Sequence, residues 1–193
     1  MRIGDSLYFA PELPFSDLNL DSVDLGAIWE QRIRGFYLEP ASVLISAKHA
    51  FAAGLLVMSA IDAMSRYEAT PRREGERLVG KEFKSFVKLE LPSFSRTKDA
   101  EDLYDKYRNG LAHEARLKRG AEFNLEQDET LICLGVVTKI NPAKLLEEVD
   151  QALTKFVSAL AEEENRKQFA DALRDDFSFD LGLAPTRRTI DSP

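Results

Sequence analysis

Apolar residues recur at every third or fourth position through most of the chain, the spacing that places them on one face of an α-helix. From Asp21 or Ser22, the residues Val23, Ile28, Trp29 and Ile33 mark a first helix, with Ser22 as N-cap and Gly35 as stop. Pro40 then sits where an N1 proline belongs, and Leu44, Ala47, Phe51, Leu55, Met58 and Ile61 predict a second helix running to about Tyr67. Its middle is apolar on most faces, as expected of the central helix of a bundle. Gly54 weakens that helix by up to ~1 kcal/mol relative to Ala, so its expected use is to admit a neighbouring helix. His49, one position from the Leu44/Phe51 stripe, reads as a satisfied or half-exposed side chain.

Thr70, Pro71 and Gly75 break the pattern, and a third helix follows through Leu78, Phe83, Phe86, Val87 and Leu89 until Pro92. Thr97 caps a fourth, which carries Leu103, Tyr107 and Leu111 inward. Alternation then replaces helical spacing. Phe123 and Leu125 on one side of the acidic stretch 126–129, and part of 130–140 on the other, predict a β-hairpin near 122–140. Asn141-Pro142 opens a fifth long helix through Leu145, Val149, Leu153, Phe156 and Leu160, and a shorter helical stretch covers about 165–175. The predicted fold class is all-α: an antiparallel bundle of five to six helices with one small inserted hairpin. Residues 1–21 read as an irregular lead-in, 22–180 as the helical domain, and 181–193 as a mobile tail.

Composition narrows the chemistry. A single cysteine, Cys133, excludes an intramolecular disulfide framework, and two histidines leave little for a metal centre. Cys133 alternates with Ile132, Leu134 and Val136 and is expected to be a buried, inert thiol. No apolar run approaches the ~20 residues of a spanning helix, and no signal peptide is visible, so a cytoplasmic protein without membrane contact is expected. The formal net charge of −7 argues against coating nucleic acid by bulk charge. Charge is uneven, however: residues 66–119 hold 14 Lys and Arg against 10 Asp and Glu, a candidate anion-binding face on an acidic protein.

Within that basic segment lies Tyr107-Arg108-Asn109-Gly110-Leu111-Ala112-His113-Glu114, which combines a guanidinium, an amide and an imidazole. On a helix Asn109 and His113 share a face, while Arg108 must use its length to reach the same spot. Such a set suits a phosphodiester. An imidazole moves protons near neutral pH, a guanidinium pairs with charge on phosphate oxygens, and an amide orients either partner. Elsewhere there is no nucleophile elbow, phosphate-binding glycine loop or zinc-protease signature.

Arg108, Asn109 and His113 in this arrangement resemble the motif of the HEPN superfamily, whose ribonucleases carry Arg, a polar residue, and His four to six positions further on, in a late helix of a helical bundle. The resemblance spans about residues 22–160 in architecture and six residues in motif. It implies a metal-independent endoribonuclease that needs no cofactor, or a relative that has kept the fold and lost the activity. It further implies a homodimer with facing motif helices, and a toxin or defence effector acting on RNA with an antitoxin protein as a further partner. In that reading Arg108, Asn109 and His113 are catalytic, no metal is bound, and Tyr104, Lys106, Arg116, Lys118 and Arg119 contact substrate. The hairpin is an addition to the plainest form of such a bundle.

Overall fold

The computed structural model describes residues 2–68 and 78–183. Helix α3 (Ala50–Glu68) is its spine, because Ala53, Val57, Ala60, Ile61 and Met64 are all fully buried and small residues among them let neighbours close in. Around it pack α2 (Glu39–Ser46), α4 (Val79–Glu90) and α7 (Pro142–Ala159), while α1 (Leu25–Ile33) lies against α7. The short α5 (Thr97–Asp102) continues through a π-helical stretch, Leu103–Arg108, into α6 (Asn109–Glu114). Helix α8 (Glu163–Asp176) closes the order and rests on α1. The chain is mostly helical with two small sheets, and no helix among the described residues is long and apolar enough to cross a membrane.

The predicted single helix over 40–67 is two helices. Lys48 takes a left-handed φ of 61° and the His49 N–H donates back to the Leu44 carbonyl, so the chain reverses between α2 and α3. The apolar periodicity gives no sign of this break, because Ala47, Phe51 and Leu55 continue the stripe across it although all three are exposed. A straight continuation would carry α2 away from α3. Nor does Gly35 stop the first helix. It lies inside a π-helical turn, Arg34–Leu38, that carries α1 into α2.

Residues 2–14 are not irregular, whereas 18–21 are turn and loop as expected. Arg2–Ile3 (β1), Ser6–Ala10 (β2) and Leu13–Pro14 (β3) form an antiparallel sheet in the order β1-β2-β3. Phe9 and Ala10 are fully buried, and the Phe9 ring meets Phe15 at 5.5 Å and Phe177 at 5.6 Å. Burying one such aromatic removes enough apolar surface from water to stabilise by ~2–3 kcal/mol, which explains why so short a sheet stays docked.

The second sheet also departs from expectation. Ala121–Phe123 (β4) pairs in parallel with Val137–Ile140 (β6), and β6 pairs antiparallel with Leu131–Leu134 (β5), giving the order β4-β6-β5. The hairpin therefore turns at Gly135-Val136, a two-residue loop between paired Leu134 and Val137, and not at the acidic stretch. Being on the edge strand β5, Cys133 is exposed, against the expectation of a buried thiol. Gly54 likewise admits no helix: a Cβ there would lie 2.3 Å from the Phe123 ring, so the glycine seats β4 against α3. Asn141 caps α7 as predicted, its Oδ1 accepting from the N–H of Ala143 at 2.9 Å and of Lys144 at 3.4 Å. The loop break at Thr70, Pro71 and Gly75 and the tail from residue 184 lie outside the described residues.

Candidate active site

Tyr107 fixes the depth of the motif helix. Its ring is fully buried 5.4 Å from Phe123, and its hydroxyl donates to the Thr138 carbonyl while accepting from the Glu122 N–H at 3.2 Å. A buried hydroxyl without these partners would carry a full desolvation penalty, so the bonds tie the helix to β4 and β6. Burial pushes this phenol above its ordinary range, and it stays a neutral donor. With Tyr107 inward, the next residue turns toward α3.

There the sequence-predicted set comes together. Arg108 Nε donates to Asp62 Oδ2 at 2.8 Å, its Nη1 donates to Asn109 Oδ1 at 3.1 Å, and the same Nη1 stands 3.0 Å from His113 Nε2. A guanidinium has donors only, so His113 meets it through a lone pair on Nε2, which puts the ring proton of this arrangement on Nδ1. The Arg108 side chain is only 16% exposed, whereas His113 is exposed. The charge is held within the protein and the proton carrier faces solvent. The π-helical stretch just before the motif adds to this, since such insertions re-aim side chains and are frequent at functional sites.

The residues predicted to contact substrate are placed less uniformly. Tyr104 is half-buried against Phe83 at 5.3 Å, with the Arg108 guanidinium 5.7 Å and Lys84 Nζ 5.6 Å from its ring centre. Lys106 is paired with Asp102 at 3.0 Å, whose carboxylate also meets the Thr138 hydroxyl, so it is directed toward β6. Arg116 and Lys118 both pair with Glu114, at 2.6 and 3.3 Å, and together hold its carboxyl below the usual range. Arg119 is exposed. The loop bearing these last three folds back over α6: Ala115 takes a left-handed φ of 52°, the Arg116 N–H donates to the Gly110 carbonyl, and a Cβ on Gly110 would lie 2.5 Å from the Arg116 carbonyl. Gly110 is thus required by this close return.

Asp62 is the participant that sequence reasoning missed. It is a carboxylate in the apolar middle of α3, one residue after fully buried Ile61, and that interruption was the available signal. It shares a face of α3 with Phe51, Leu55, Ser59 and Arg66. Phe51 and Leu55 on this face are 46% and 38% exposed, large apolar side chains open to solvent. Beyond Arg108 the face borders a cleft of about 390 Å³ lined in part by Arg32, Arg66, Tyr67 and Asp176.

Comparison with protein-family models, with curated proteins and with solved structures finds no match to this chain. What the site can do is therefore set by its own groups: a held cation, an oriented amide and an accessible imidazole within hydrogen-bonding distance of one another.

Proposed function

We propose that the chain is a metal-independent endoribonuclease of the HEPN type, an antiparallel helical bundle carrying an added β-element and working as a two-fold homodimer. The observation that carries this reading is the contact of Arg108 Nη1 with both Asn109 Oδ1 and His113 Nε2 while Asp62 holds Nε. In the reaction a phosphodiester oxygen takes over the Arg108 Nη1 donor. That exchange frees the Nε2 lone pair, which then removes the proton from the ribose 2′-hydroxyl. The 2′-oxygen attacks phosphorus, Arg108 stabilises the charge gathering on the equatorial oxygens, and the 5′-oxygen leaves as an alcohol with a 2′,3′-cyclic phosphate behind. Asn109 orients the guanidinium. In-line displacement puts the leaving oxygen opposite the 2′-oxygen, so the acid comes from the motif of the second copy.

Exposed Phe51 and Leu55, on the same face of α3 as Asp62, support a second copy covering this side of the molecule. Toxin or defence roles, an antitoxin partner and a cytoplasmic location belong to the same family resemblance. The test is cleavage of a labelled RNA in EDTA: it proceeds, stops on DNA or a 2′-deoxy scissile site, and yields a cyclic phosphate end.

A second reading is a catalytically silent HEPN-like module that binds RNA, a nucleotide or a protein partner. It is favoured by Arg108 having all its partners within the protein and by the pairing of Arg116 and Lys118 to Glu114. RNA binding with no cleavage, unchanged by His113→Ala, selects it.

A further inference from the structure

The cleft beside the motif holds a guanidinium that no carboxylate among the described residues meets. Three arginines, Arg32, Arg66 and Arg108, line it with two aspartates, Asp62 and Asp176. Arg66 pairs with Asp176, and Arg108 with Asp62. Arg32 is left over. Its guanidinium lies 4.8 Å from the Phe9 ring centre and 5.2 Å from that of Phe177, and one nitrogen donates to the Phe9 carbonyl. No carboxylate among the described residues forms an ion pair with it, and Asp180 acts on it only at longer range. Taking a cation out of water without a counter-charge is costly, and burial pulls this guanidinium below its ordinary range.

A second polar group in the same wall points the same way. Trp29 is 1% exposed, and its indole N–H has no acceptor among the described residues. A buried donor left in that state forfeits ~1–3 kcal/mol, which an acceptor brought in by a ligand would recover. Flat rings complete the wall: Tyr37, Tyr67 and Trp29 itself, with Tyr67 set edge-on to Trp29 at 5.1 Å. Burial, reinforced by the charge of Asp176, pushes the Tyr67 phenol well above its usual range, so it adds no negative charge to the cleft.

We propose that this cleft binds a small monocarboxylate with a flat apolar body. Arg32 meets no carboxylate among the described residues, so a single anionic group suits it, and the flat rings suit an apolar body more than a second charge. A carboxylate offers two oxygens, enough for the Arg32 fork and the Trp29 N–H together, and about 390 Å³ lies within the size range of small-molecule sites. His113 is not part of the lining, so the site stands whether or not the chain cleaves RNA. An occupant would nevertheless lie against Arg108 and Asp62, the pair that positions the motif.

Trp29 is the one tryptophan in the chain, so its fluorescence reports on the cleft directly. Benzoate, 4-hydroxyphenylacetate and indole-3-acetate are titrated into the full chain beside their neutral amides, with inorganic phosphate and dimethyl phosphate as further arms. Fluorescence is read together with melting temperature, which a ligand of the folded state must raise. The expected result is a saturable change with at least one carboxylate, none with its amide, and affinity weakened about tenfold or more in Arg32→Gln. Ser59→Phe, which fills the cleft from α3 and leaves Arg32 itself unchanged, should also abolish binding and serves if Arg32→Gln does not fold. Amides binding as well as acids, Ser59→Phe or a folded Arg32→Gln binding like the parent chain, or no saturable change with any carboxylate would each overturn the proposal. Tighter binding of dimethyl phosphate than of any carboxylate would overturn it too, in favour of a nucleic-acid backbone site.

Discussion

Arg108 and Asp62 lie 46 residues apart in sequence and meet at 2.8 Å, a half-buried ion pair between the motif helix and the central helix α3. Because Asp62 occupies Nε, the terminal nitrogens of Arg108 are aimed along α6 toward Asn109 and His113. Asp62 is therefore a positioning residue. Asp62→Asn should keep the fold and lower single-turnover RNA cleavage by about 10- to 100-fold, the usual cost of a misplaced catalytic group, with Asp62→Glu recovering part of it. Equal rates in Asp62→Asn and the parent chain would show that Arg108 is aimed by its helix alone.

His113 differs from Arg108 in being exposed, so its removal should cost chemistry and not stability. His113→Ala is expected to lower the cleavage rate by about 10²–10⁴ and leave the melting temperature unchanged. Arg108→Lys should restore only part of what Arg108→Ala loses, since an ammonium lacks the planar fork that spans Asp62, Asn109 and His113. Full activity in Arg108→Lys would mean that charge alone suffices.

The legible and illegible parts of this fold separate along physical lines. Helices with a clear cap or proline, such as α7 with Asn141 and Pro142, could be read from local residues because the end of the helix is fixed by local bonds. So could the meeting of Arg108, Asn109 and His113, which one helical turn brings together. The reversal at Lys48 carries no glycine or proline and interrupts no periodicity, since it is imposed by α2 packing back on α3. The parallel pairing of β4 with β6 is likewise non-local: nothing near Phe123 states that its partner is Ile140. Asp62 joins the site by the same kind of long-range contact, and only its charge in an apolar helix hinted at it.

The return of the chain over α6 makes Gly110→Ala a test against helix propensity. In an isolated helix this change would stabilise by up to ~1 kcal/mol. Here the new methyl would meet the Arg116 carbonyl at 2.5 Å, a backbone atom that cannot swing aside. The expected net effect in urea unfolding is a loss of about 1–3 kcal/mol, with weaker RNA binding as the loop of Arg116 and Lys118 is displaced. Stabilisation would show that the loop yields freely.

Exposed Phe51 and Leu55 make the proposed dimer testable from the same helix that holds Asp62. Leu55→Glu places a charge in the proposed apolar contact and should shift light scattering from dimer to monomer, with a loss of cleavage that tracks the monomer fraction. The substitution is at a site already 38% exposed, so the monomer should remain folded. A dimer unaffected by Leu55→Glu would place the interface on another face.

Asp102 gives the fold a defined acid response. Burial works against its charge, but hydrogen bonds from Lys98 at 2.6 Å and Lys106 at 3.0 Å outweigh this and hold the carboxyl below its ordinary value. A carboxyl whose affinity for protons is lower in the folded state contributes stability above its unfolded pKa, and that contribution is lost as pH falls through the folded one. Asp102→Asn should therefore melt at a lower temperature than the parent chain near neutral pH. The two curves should begin to converge as pH falls below the ordinary aspartate range and meet below the lowered value of the folded parent, where its carboxyl is protonated as well. Asn retains the shape and an acceptor for the Thr138 hydroxyl, so the converging part reports charge and not packing. A gap between the two that stays constant from neutral pH into acid would mean the pairs with Lys98 and Lys106 contribute nothing to stability, and a gap that widens in acid would reverse the sign of the linkage.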